Sequence, residues 1–546
     1  MENRPVPIVL LLAAAIPVFF AALGANSIWD ANEAFYVETP RQMLETGDYV
    51  SPSFGGAPRF NKPVLSYWLV AGAYRLFGES VAIQRVVIAL GAMGILFATY
   101  LIGRALGTPG SGVLAALLLA TAPRFVFFSR RILIDIYITL FMALALACFV
   151  LAERFPERRR PLLLLMYVAI GCGVLTKGPV ALVLPALAAG LWLLMERRLA
   201  DLRRLMILPG ALIVVAIVVP WYAAIYRVHG WEYITQFFVD ENVGRFSSPI
   251  TTARSALFFI PVLLGDILLP WAPLVAIPLL EAWRREAAPD PGGAVRRLLW
   301  WWVVVIVAAF SLSASKEDLY ILPAIPAAAA LVAETLIRTA WGAAHRGVSW
   351  VLVVVCILCV VIGWMIADLF ASGYYEMAGA PALAALLAIT GVLAIATLWR
   401  RQFEVACLTL ACGFVLFNYV FVLRTLPALE RLKPVPALAA VVSARGQPSA
   451  PLGFFNMDLP SMVYYARRPV TKLGDADTAA RFFTDHDEVW VLAGVHEWEA
   501  LKTRVPDACV AARRPLFAAK ASDVLRGEPP PDVLLLTRGR ACFPQK

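Results

Sequence analysis

The sequence is poor in charge: Asp, Glu, Lys and Arg make up only 16% of its 546 residues. Soluble domains carry roughly 25% charged residues, whereas 60% of this chain is hydrophobic. These proportions exclude a disordered chain, a fibrous protein and an ordinary soluble enzyme. Stretches such as 7–25 and 351–369 carry almost no charge over lengths near the ~20 residues that cross a bilayer. The sequence therefore predicts a polytopic membrane protein.

Signatures of nucleotide and metal chemistry are also missing. Neither a P-loop nor a dinucleotide-binding Gly-rich fingerprint occurs. The four His residues show no metal-ligand spacing. The net charge of +10 does not indicate a nucleic-acid partner, because most Arg lies in short loops between apolar spans. No cofactor is predicted. Binding of a divalent metal ion by the acidic residues is the alternative.

Apolar segments predict an all-α membrane part of about thirteen spans. Residues 1–25 are interpreted as a retained first helix, since no cleavage site precedes Asn26. The run Thr176-Lys177-Gly178-Pro179 should separate two spans, because Pro and Gly interrupt helices. The predicted spans are 7–25, 80–103, 109–124, 132–152, 161–176, 178–195, 205–226, 254–280, 298–313, 320–337, 349–370, 380–399 and 404–423.

Positive charge predicts the orientation of these spans. Arg is dense in one set of loops, which includes Arg158–Arg160, Arg284-Arg285 and Arg400-Arg401, and sparse in the long opposite segment 26–79. The positive-inside rule makes the Arg-dense side cytoplasmic. We therefore expect a cytoplasmic N-terminus and, because the number of spans is odd, a C-terminus outside the cytoplasm.

The sequence changes character after residue 423. Charged residues become frequent, and 488–493 and 532–536 resemble short strands. We predict a transmembrane domain at 1–423 and a soluble periplasmic α/β domain at 424–546. An oxidising compartment would allow a disulfide between Cys509 and Cys542. The Cys356-x-x-Cys359 pair lies among Val and Ile, and is interpreted as packing.

Ionisable residues gather on the outer side of the predicted spans, where they are functional candidates. The segment 26–79 combines them with two amphipathic stretches, around Phe35–Leu44 and Val64–Tyr74, that suit interfacial helices. The main candidates are Asp30, Glu33, Lys62, Asp135, Lys177, Glu241, Arg245, Lys316 and Tyr320.

Three outer motifs carry a family resemblance. They are the first-loop runs Trp29–Tyr36, Arg41–Asp48 and Phe60–Trp68, with Thr176-Lys177-Gly178, Glu241-x-x-x-Arg245-Phe246 and Ser313–Pro323 as further matches. Together with Asp135, they resemble the protein O-mannosyltransferase-like branch of the type-C glycosyltransferases. Bacterial members of that branch include lipid A aminoarabinose transferases.

The resemblance implies a reaction outside the cytoplasmic membrane. A sugar, with 4-amino-4-deoxy-L-arabinose as the leading candidate, would move from undecaprenyl phosphate to a phosphate of lipid A, with inversion at the anomeric carbon. Membrane lipids and the lipid-linked donor are the expected partners. A protein acceptor, as in O-mannosyltransferases, is the alternative within the family, and a polytopic lipid transporter or flippase is the rival class.

The resemblance also implies roles for the candidates. Glu33, Asp135 and Asp30 would be the catalytic carboxylates around the sugar. Phosphate and substrate binding would fall to a second set: Lys62, Arg245, Lys316, Tyr320, Lys177 and Glu241. Simpler interpretations stay open: Glu33 as a helix N-terminal charge, Asp30 as a cap, Asp135 as an ion-pair partner of nearby Arg130 and Arg131, and Lys62 as an interfacial cation.

One departure bears on the acceptor. This chain has Asn32-Glu33 where the family commonly has an Asp-Glu doublet, and Asp30 could supply the missing charge. A hydroxyl acceptor benefits from a general base, whereas a phosphate is already an anionic nucleophile. The departure therefore leans toward a phosphate acceptor.

Overall fold

The structure, a computed structural model, describes residues 5–30, 32–248, 254–281, 291–340, 346–516 and 521–542. Ala31 of the first motif, the end of the predicted outer loop 227–253 and the Arg284-Arg285 pair lie outside these residues. Most of the described chain is helical, and a mixed sheet forms in its C-terminal part.

Within the described ranges, nine helices are long and apolar enough to cross a membrane. They agree with nine of the predicted spans, and the chain is a multi-pass membrane protein. The nine are Val81–Leu106, Ile134–Arg154, Pro156–Lys177, Ile207–His229, Gly292–Leu312, Asp318–Ala340, Arg346–Phe370, Ala380–Trp399 and Phe403–Leu432.

The other four predicted spans coincide with shorter apolar helices, so the total of thirteen stays a prediction. Three of the four, at 7–25, 109–124 and 178–195, correspond to Val6–Phe19, Pro109–Thr121 and Val180–Met195. The continuous span expected over 254–280 is wrong, because two short helices, Ala256–Gly265 and Ala272–Glu281, replace it. Pro270 and Pro273 lack the N–H groups that a continuous helix needs there.

The predicted interruption near residue 178 is confirmed. One helix, Arg159–Lys177, ends at Gly178, whose φ is +88°, and the next helix begins at Val180. A Cβ on Gly178 would lie 2.6 Å from Cζ of Phe237. Backbone conformation and close packing therefore both require glycine at this break.

The centre of the bundle is the helix Ile325–Ala340, which is buried almost throughout. It packs against Val81–Leu106 and Pro109–Thr121. Its face is rich in Ala, from Ala327 to Ala333, and small side chains let membrane helices approach closely.

The first loop is folded as the amphipathic pattern predicted. Helices Glu33–Thr46 and Leu65–Phe77 flank a short hairpin, β1 (Ser53–Phe54) and β2 (Ala57–Pro58). The Tyr36 and Tyr67 rings stack across the two helices with centroids 5.8 Å apart. Trp68 Nε1 donates to the Tyr49 carbonyl at 2.8 Å, which attaches the second helix to the chain before the hairpin.

Short helical segments connect the longer helices or, at Asp318–Ala324 and Leu429–Leu432, form one end of a candidate span. They include Pro123–Phe128, Leu199–Arg204, Trp231–Ile234, Thr235–Gly244, Arg245–Ser247, Asp318–Ala324 and Leu429–Leu432. Thr235–Gly244 is π-helical, a form that is often found at functional sites.

The C-terminal part contains five further strands: β3 (Leu452–Phe455), β4 (Thr471–Leu473), β5 (Val489–Gly494), β6 (Ala508–Pro515) and β7 (Asp532–Arg538). They form a mixed sheet of order β4-β3-β5-β7-β6. Strands β3, β4 and β5 are parallel, and β7 runs antiparallel to β5 and β6. Helices cover both faces, and each face has its own apolar core. The helices are Val435–Arg445, Ser461–Ala466, Ala476–Thr484, Val495–Leu501 and Ala521–Arg526.

Two predictions about this part are confirmed. The expected strands at 488–493 and 532–536 are β5 and β7. Cys509 and Cys542 form a disulfide with Cα atoms 5.8 Å apart. The domain boundary after residue 423 stays a prediction, and the helical run Phe403–Leu432 continues past it.

Candidate functional site

The structure brings Lys62, Glu241 and Arg245 together from the two segments 26–79 and 235–247. Lys62 Nζ lies 3.0 Å from Glu241 Oε2, and an Arg245 Nη lies 2.9 Å from the same oxygen. Asn61 Nδ2 donates to Glu241 Oε1 at 2.5 Å. The side chains of Lys62 and Glu241 are only 13% and 12% exposed. One carboxylate therefore holds two cations, of which Lys62 is mostly buried and Arg245 is 35% exposed.

Burial and neighbouring charges shift both members of the Lys62–Glu241 pair. Burial lowers the pKa of Lys62 to about 8, Glu241 opposes that shift, and the charges of Arg245 and Lys177 strengthen it. Burial would raise the pKa of Glu241, but Lys62 and Arg245 outweigh it and hold that pKa below its usual value. The cluster carries excess positive charge, which favours an anionic ligand.

Asp135 and Lys177 form a second pair next to this cluster. Asp135 lies in the first turn of helix Ile134–Arg154, and its Oδ1 is 2.5 Å from Nζ of Lys177, the last residue of the following helix, Arg159–Lys177. Lys177 Nζ also lies 5.1 Å from the centroid of the Tyr320 ring. Since the charge of Lys177 acts on Lys62, the two pairs belong to one site.

Lys316 is connected to the site by the backbone of the residues that precede it. The Ser315 N–H donates to the Arg245 carbonyl at 3.1 Å, and the Ala314 N–H donates to the Phe246 carbonyl at 2.8 Å. Lys316 itself is 6% exposed, and its Nζ donates to the Ser313 carbonyl at 2.5 Å. The segment 313–316 is thus attached to the backbone of Arg245.

Glu33 lies apart from these cations and is fully saturated with hydrogen bonds. Its carboxylate is 0% exposed and accepts from Arg85 at 3.3 Å and from Arg131 at 3.1 Å. The backbone N–H groups of Trp29 and Ile132 donate to it at 3.0 and 3.3 Å. It begins helix Glu33–Thr46, where negative charge is favourable. These contacts tie the first loop to the spans.

Asp30 faces the C-terminal part instead of the cation cluster. Its Oδ1 accepts from the Ser461 N–H at 2.9 Å. Burial raises the pKa of Asp30, while the hydrogen bond from Ser461 and the charge of Lys433 act in the opposite direction. Lys433 Nζ lies 4.2 Å from the centroid of the neighbouring Trp29 ring. Asp30 and Glu33 therefore have partners different from Lys177, the partner of Asp135.

Several residues at the site escaped the sequence reasoning. The ion pair expected for Asp135 with Arg130 or Arg131 is wrong, because Arg131 pairs with Glu33 and Arg130 donates to the carbonyls of Val18 and Ala21. Position in the quoted motifs is the one signal that could have pointed to Asn61, Tyr36 and Tyr67. Arg85, in contrast, lies in an apolar span with no motif to mark it.

An apolar cavity of about 730 Å³ opens beside the first loop. Trp29 and Phe127 line it together with side chains of the spans around Val355 and Phe417, and Arg124 and Asp266 supply its polar edge. The Arg124 guanidinium lies 3.5 Å from Asp266. The cavity offers an apolar volume in the membrane part with charge at one side.

The sequence leaves binding of a divalent metal ion by acidic residues as an alternative. Among the residues that the structure describes, no three His, Cys, Asp or Glu side chains cluster as metal ligands. The carboxylates of Glu33, Glu241 and Asp135 are instead each engaged by Lys or Arg. The site residues thus form ion pairs of protein groups.

Comparisons with known proteins identify relatives of this chain. The transferase named undecaprenyl phosphate-alpha-4-amino-4-deoxy-L-arabinose arabinosyl transferase 1, from Pseudomonas fluorescens (strain Pf0-1), is 31% identical over 336 residues, which cover 60% of this chain and 57% of that relative. The relative from Pseudomonas aeruginosa PAO1 that is named as an arabinosyl transferase of the same kind is 32% identical over 346 residues, covering 62% and 61%. The match thus spans about three fifths of these relatives.

The fold has a solved counterpart, and the sequence matches a family model. The crystal structure of ArnT from Cupriavidus metallidurans bound to undecaprenyl phosphate superposes with a TM-score of 0.79 at 22% identity, over 98% of this chain and 99% of that one. Residues 8–234 match the family model described as dolichyl-phosphate-mannose-protein mannosyltransferase. Residues 8–234 are therefore similar to that mannosyltransferase family, which confirms the resemblance identified in the sequence.

Proposed function

We propose that the chain is an integral-membrane glycosyltransferase. It moves 4-amino-4-deoxy-L-arabinose from undecaprenyl phosphate to a phosphate of lipid A, with inversion at the anomeric carbon. The observation that carries this proposal is the pair of partly buried cations, Lys62 and Arg245, around Glu241, with Lys177 beside it. The names of the relatives support the sugar and the carrier.

The cations bind the carrier phosphate. Its polyprenyl tail stays in apolar surroundings, since each buried methylene is worth roughly 0.8 kcal/mol, so the phosphate lies where cations meet the membrane part. Arg245 binds phosphate oxygens bidentately and Lys62 acts as a point charge. When the bond from the phosphate to the sugar breaks, the growing charge on the leaving phosphate is stabilised by cations that Glu241 already holds in place.

Asp135 acts on the sugar side of the site. Its carboxylate is oriented by Lys177 and is 9% exposed. A sugar with an ammonium group would pair with this carboxylate, which selects against neutral sugars. The acceptor phosphate attacks the anomeric carbon opposite the carrier phosphate, and because it is already anionic it needs no general base. Tyr320 flanks Lys177 and closes this side.

Glu33 and Asp30 position the first loop in this proposal. The family resemblance implies catalytic roles for both residues. In the structure, however, the Glu33 carboxylate accepts four hydrogen bonds, and Asp30 accepts one from the Ser461 N–H. The contacts with Arg85, Arg131, Ile132 and Ser461 join the first loop to other parts of the chain. Both residues thereby orient the segment that carries Lys62.

The proposal includes an orientation and a division of the chain. Residues 1–423 form the transmembrane glycosyltransferase domain of the bacterial inner membrane, with a cytoplasmic N-terminus, and residues 424–546 form a periplasmic domain. The Arg-dense loops support this orientation. The site residues then lie on the periplasmic side, where lipid-linked sugars and lipid A meet and nucleotide sugars are absent.

Mass spectrometry of the envelope tests the proposal. Lipid A and envelope proteins are compared from a bacterial host with and without the chain, and with the Asp135→Asn variant as an inactive control. We expect lipid A phosphates that gain one aminoarabinose only with the wild-type chain. Hexose on envelope proteins would favour the O-mannosyltransferase alternative, and no new glycan on either acceptor would contradict a transferase and favour a transporter.

A further inference from the structure

Arg59 is a cation that the mechanism above does not use. It follows β2 and lies three residues before Lys62. Its Cζ is 4.2 Å from the centroid of the Phe35 ring, and one Nη donates to the Tyr67 hydroxyl at 3.0 Å. The Arg59 N–H donates to the Pro52 carbonyl at 2.8 Å. A ring, a hydroxyl and a backbone bond thus fix the direction of this guanidinium.

The charge of Arg59 is unmatched in the described part of the chain. No carboxylate there lies within 4.0 Å of its guanidinium, whereas Lys62, Lys177 and Arg131 each have one. A guanidinium has five N–H donors, and Tyr67 takes one of them. The side chain is half-buried, so the other donors are open to a ligand.

Arg59 borders the same space as Asp135 and Arg245. The Tyr36 ring lies 5.9 Å from the Arg59 guanidinium and stacks on Tyr67. Charges on Arg59, Asp135 and Arg245 all act on the Tyr36 hydroxyl, whose pKa is raised chiefly by burial. Tyr67 and Phe35 hold Arg59, whereas Glu241 holds Lys62 and Arg245. Arg59 therefore borders the sugar space with a different set of partners from the cations that hold the carrier phosphate.

We propose that Arg59 binds the acceptor phosphate and aims it at the sugar. The inference rests on the proposed function, in which the nucleophile is a phosphate monoester. A guanidinium can hold two oxygens of that group bidentately and leave the third free to attack. That oxygen bonds to the anomeric carbon as the bond from this carbon to the carrier phosphate breaks. The leaving electron pair stays on the carrier phosphate, and no proton has to move.

The test uses the purified full-length chain in lipid nanodiscs. Undecaprenyl-phosphate-linked aminoarabinose is the donor, bisphosphorylated lipid A is the acceptor, and binding of undecaprenyl phosphate is measured separately. For Arg59→Gln we expect the KM for lipid A to rise about 10- to 100-fold, because a charge-assisted contact is lost. The kcat and the affinity for undecaprenyl phosphate should be retained. Arg59→Lys should recover part of the KM, and Arg75→Gln, at the exposed end of helix Leu65–Phe77, should match wild type.

The outcomes separate this inference from the proposed function. Wild-type protein that transfers no sugar to lipid A overturns the proposed function. An active wild type with an unchanged KM in Arg59→Gln overturns the role of Arg59 alone. A loss of undecaprenyl phosphate affinity as large as the rise in KM would also overturn it, because Arg59 would then only brace the first loop.

Discussion

Glu241 accepts hydrogen bonds from Lys62, Arg245 and Asn61, so one carboxylate sets the positions of two cations. Bringing cations into a pocket without such a partner would be costly. The arrangement explains how a phosphate site can be built next to a membrane: Glu241 keeps the cations charged and oriented, and an incoming phosphate adds oxygens to groups already in place.

The pKa of Lys62 gives the site a pH dependence. Because burial lowers this pKa to about 8, Lys62 is protonated below pH 8 and loses its charge above it. We expect the affinity of the wild-type chain for undecaprenyl phosphate to fall as pH rises through about 8. Calorimetric titration between pH 6.5 and 9.5 measures this affinity. In the Lys62→Arg variant the affinity should not fall near pH 8, since Arg stays charged. A wild-type affinity that is flat across this range would refute the assignment.

The buried Glu33 carboxylate predicts a stability effect. Glu33→Gln leaves Arg85 and Arg131 without a countercharge, and breaking buried pairs costs about 3–5 kcal/mol. We expect a clearly lower Tm of the purified protein, with transfer lost in parallel. Glu45→Gln is the control, since Glu45 is 52% exposed and pairs with Arg41. A wild-type Tm together with a collapse of kcat in Glu33→Gln would instead support the catalytic role predicted from the sequence.

At the scale of elements, local signals in the sequence predicted much of the fold. The two helices of the first loop, the break at Gly178 and strands β5 and β7 all follow from periodicity and from Gly or Pro. Ion pairs between residues far apart in the chain could not be predicted from these local signals. Glu33 meets Arg131 across 98 positions, and Asp135 prefers Lys177 to the adjacent Arg residues, because helix ends meet only once the bundle is packed.

Gly178 joins two elements that build the site. It follows Lys177, and its Cα faces Phe237 in the π-helical segment that carries Glu241. Gly178→Ala would place a Cβ against that ring at a φ that costs an L-residue roughly 1–2 kcal/mol. We expect a lower Tm and weaker transfer. Gly190→Ala is the matched control, since its Cβ would meet no atom within 4 Å and Ala favours the helix by about 1 kcal/mol. Equal effects of the two substitutions would contradict this account.

At the scale of the whole molecule, the C-terminal part is attached to the first loop. The Ile28 N–H donates to the Tyr465 hydroxyl at 2.9 Å, Ser461 donates to Asp30, and Glu430 accepts from Asn26 and Ser27. The loop that carries Lys62 is thereby held from both the bundle and the C-terminal part. The proposed reaction requires the loop that carries Lys62 and the C-terminal part to lie on the same side of the membrane.

Single cysteines test that orientation. They replace exposed residues Thr46, Lys472 and Arg158 in a background without the six free native cysteines. In intact spheroplasts, an impermeant thiol reagent should label positions 46 and 472 and spare 158, which becomes reactive only after lysis. The reverse pattern would place the site in the cytoplasm and contradict the proposed reaction.

The most direct test compares carrier binding and sugar transfer in two variants of the purified chain. Lys62→Ala should weaken undecaprenyl phosphate binding about 10- to 100-fold, because it loses a charge-assisted contact. Asp135→Asn should retain that binding and lower transfer to lipid A on the order of 100- to 1,000-fold. Loss of carrier binding in a folded Asp135→Asn variant as severe as that in Lys62→Ala would contradict the separation of phosphate and sugar between the two groups.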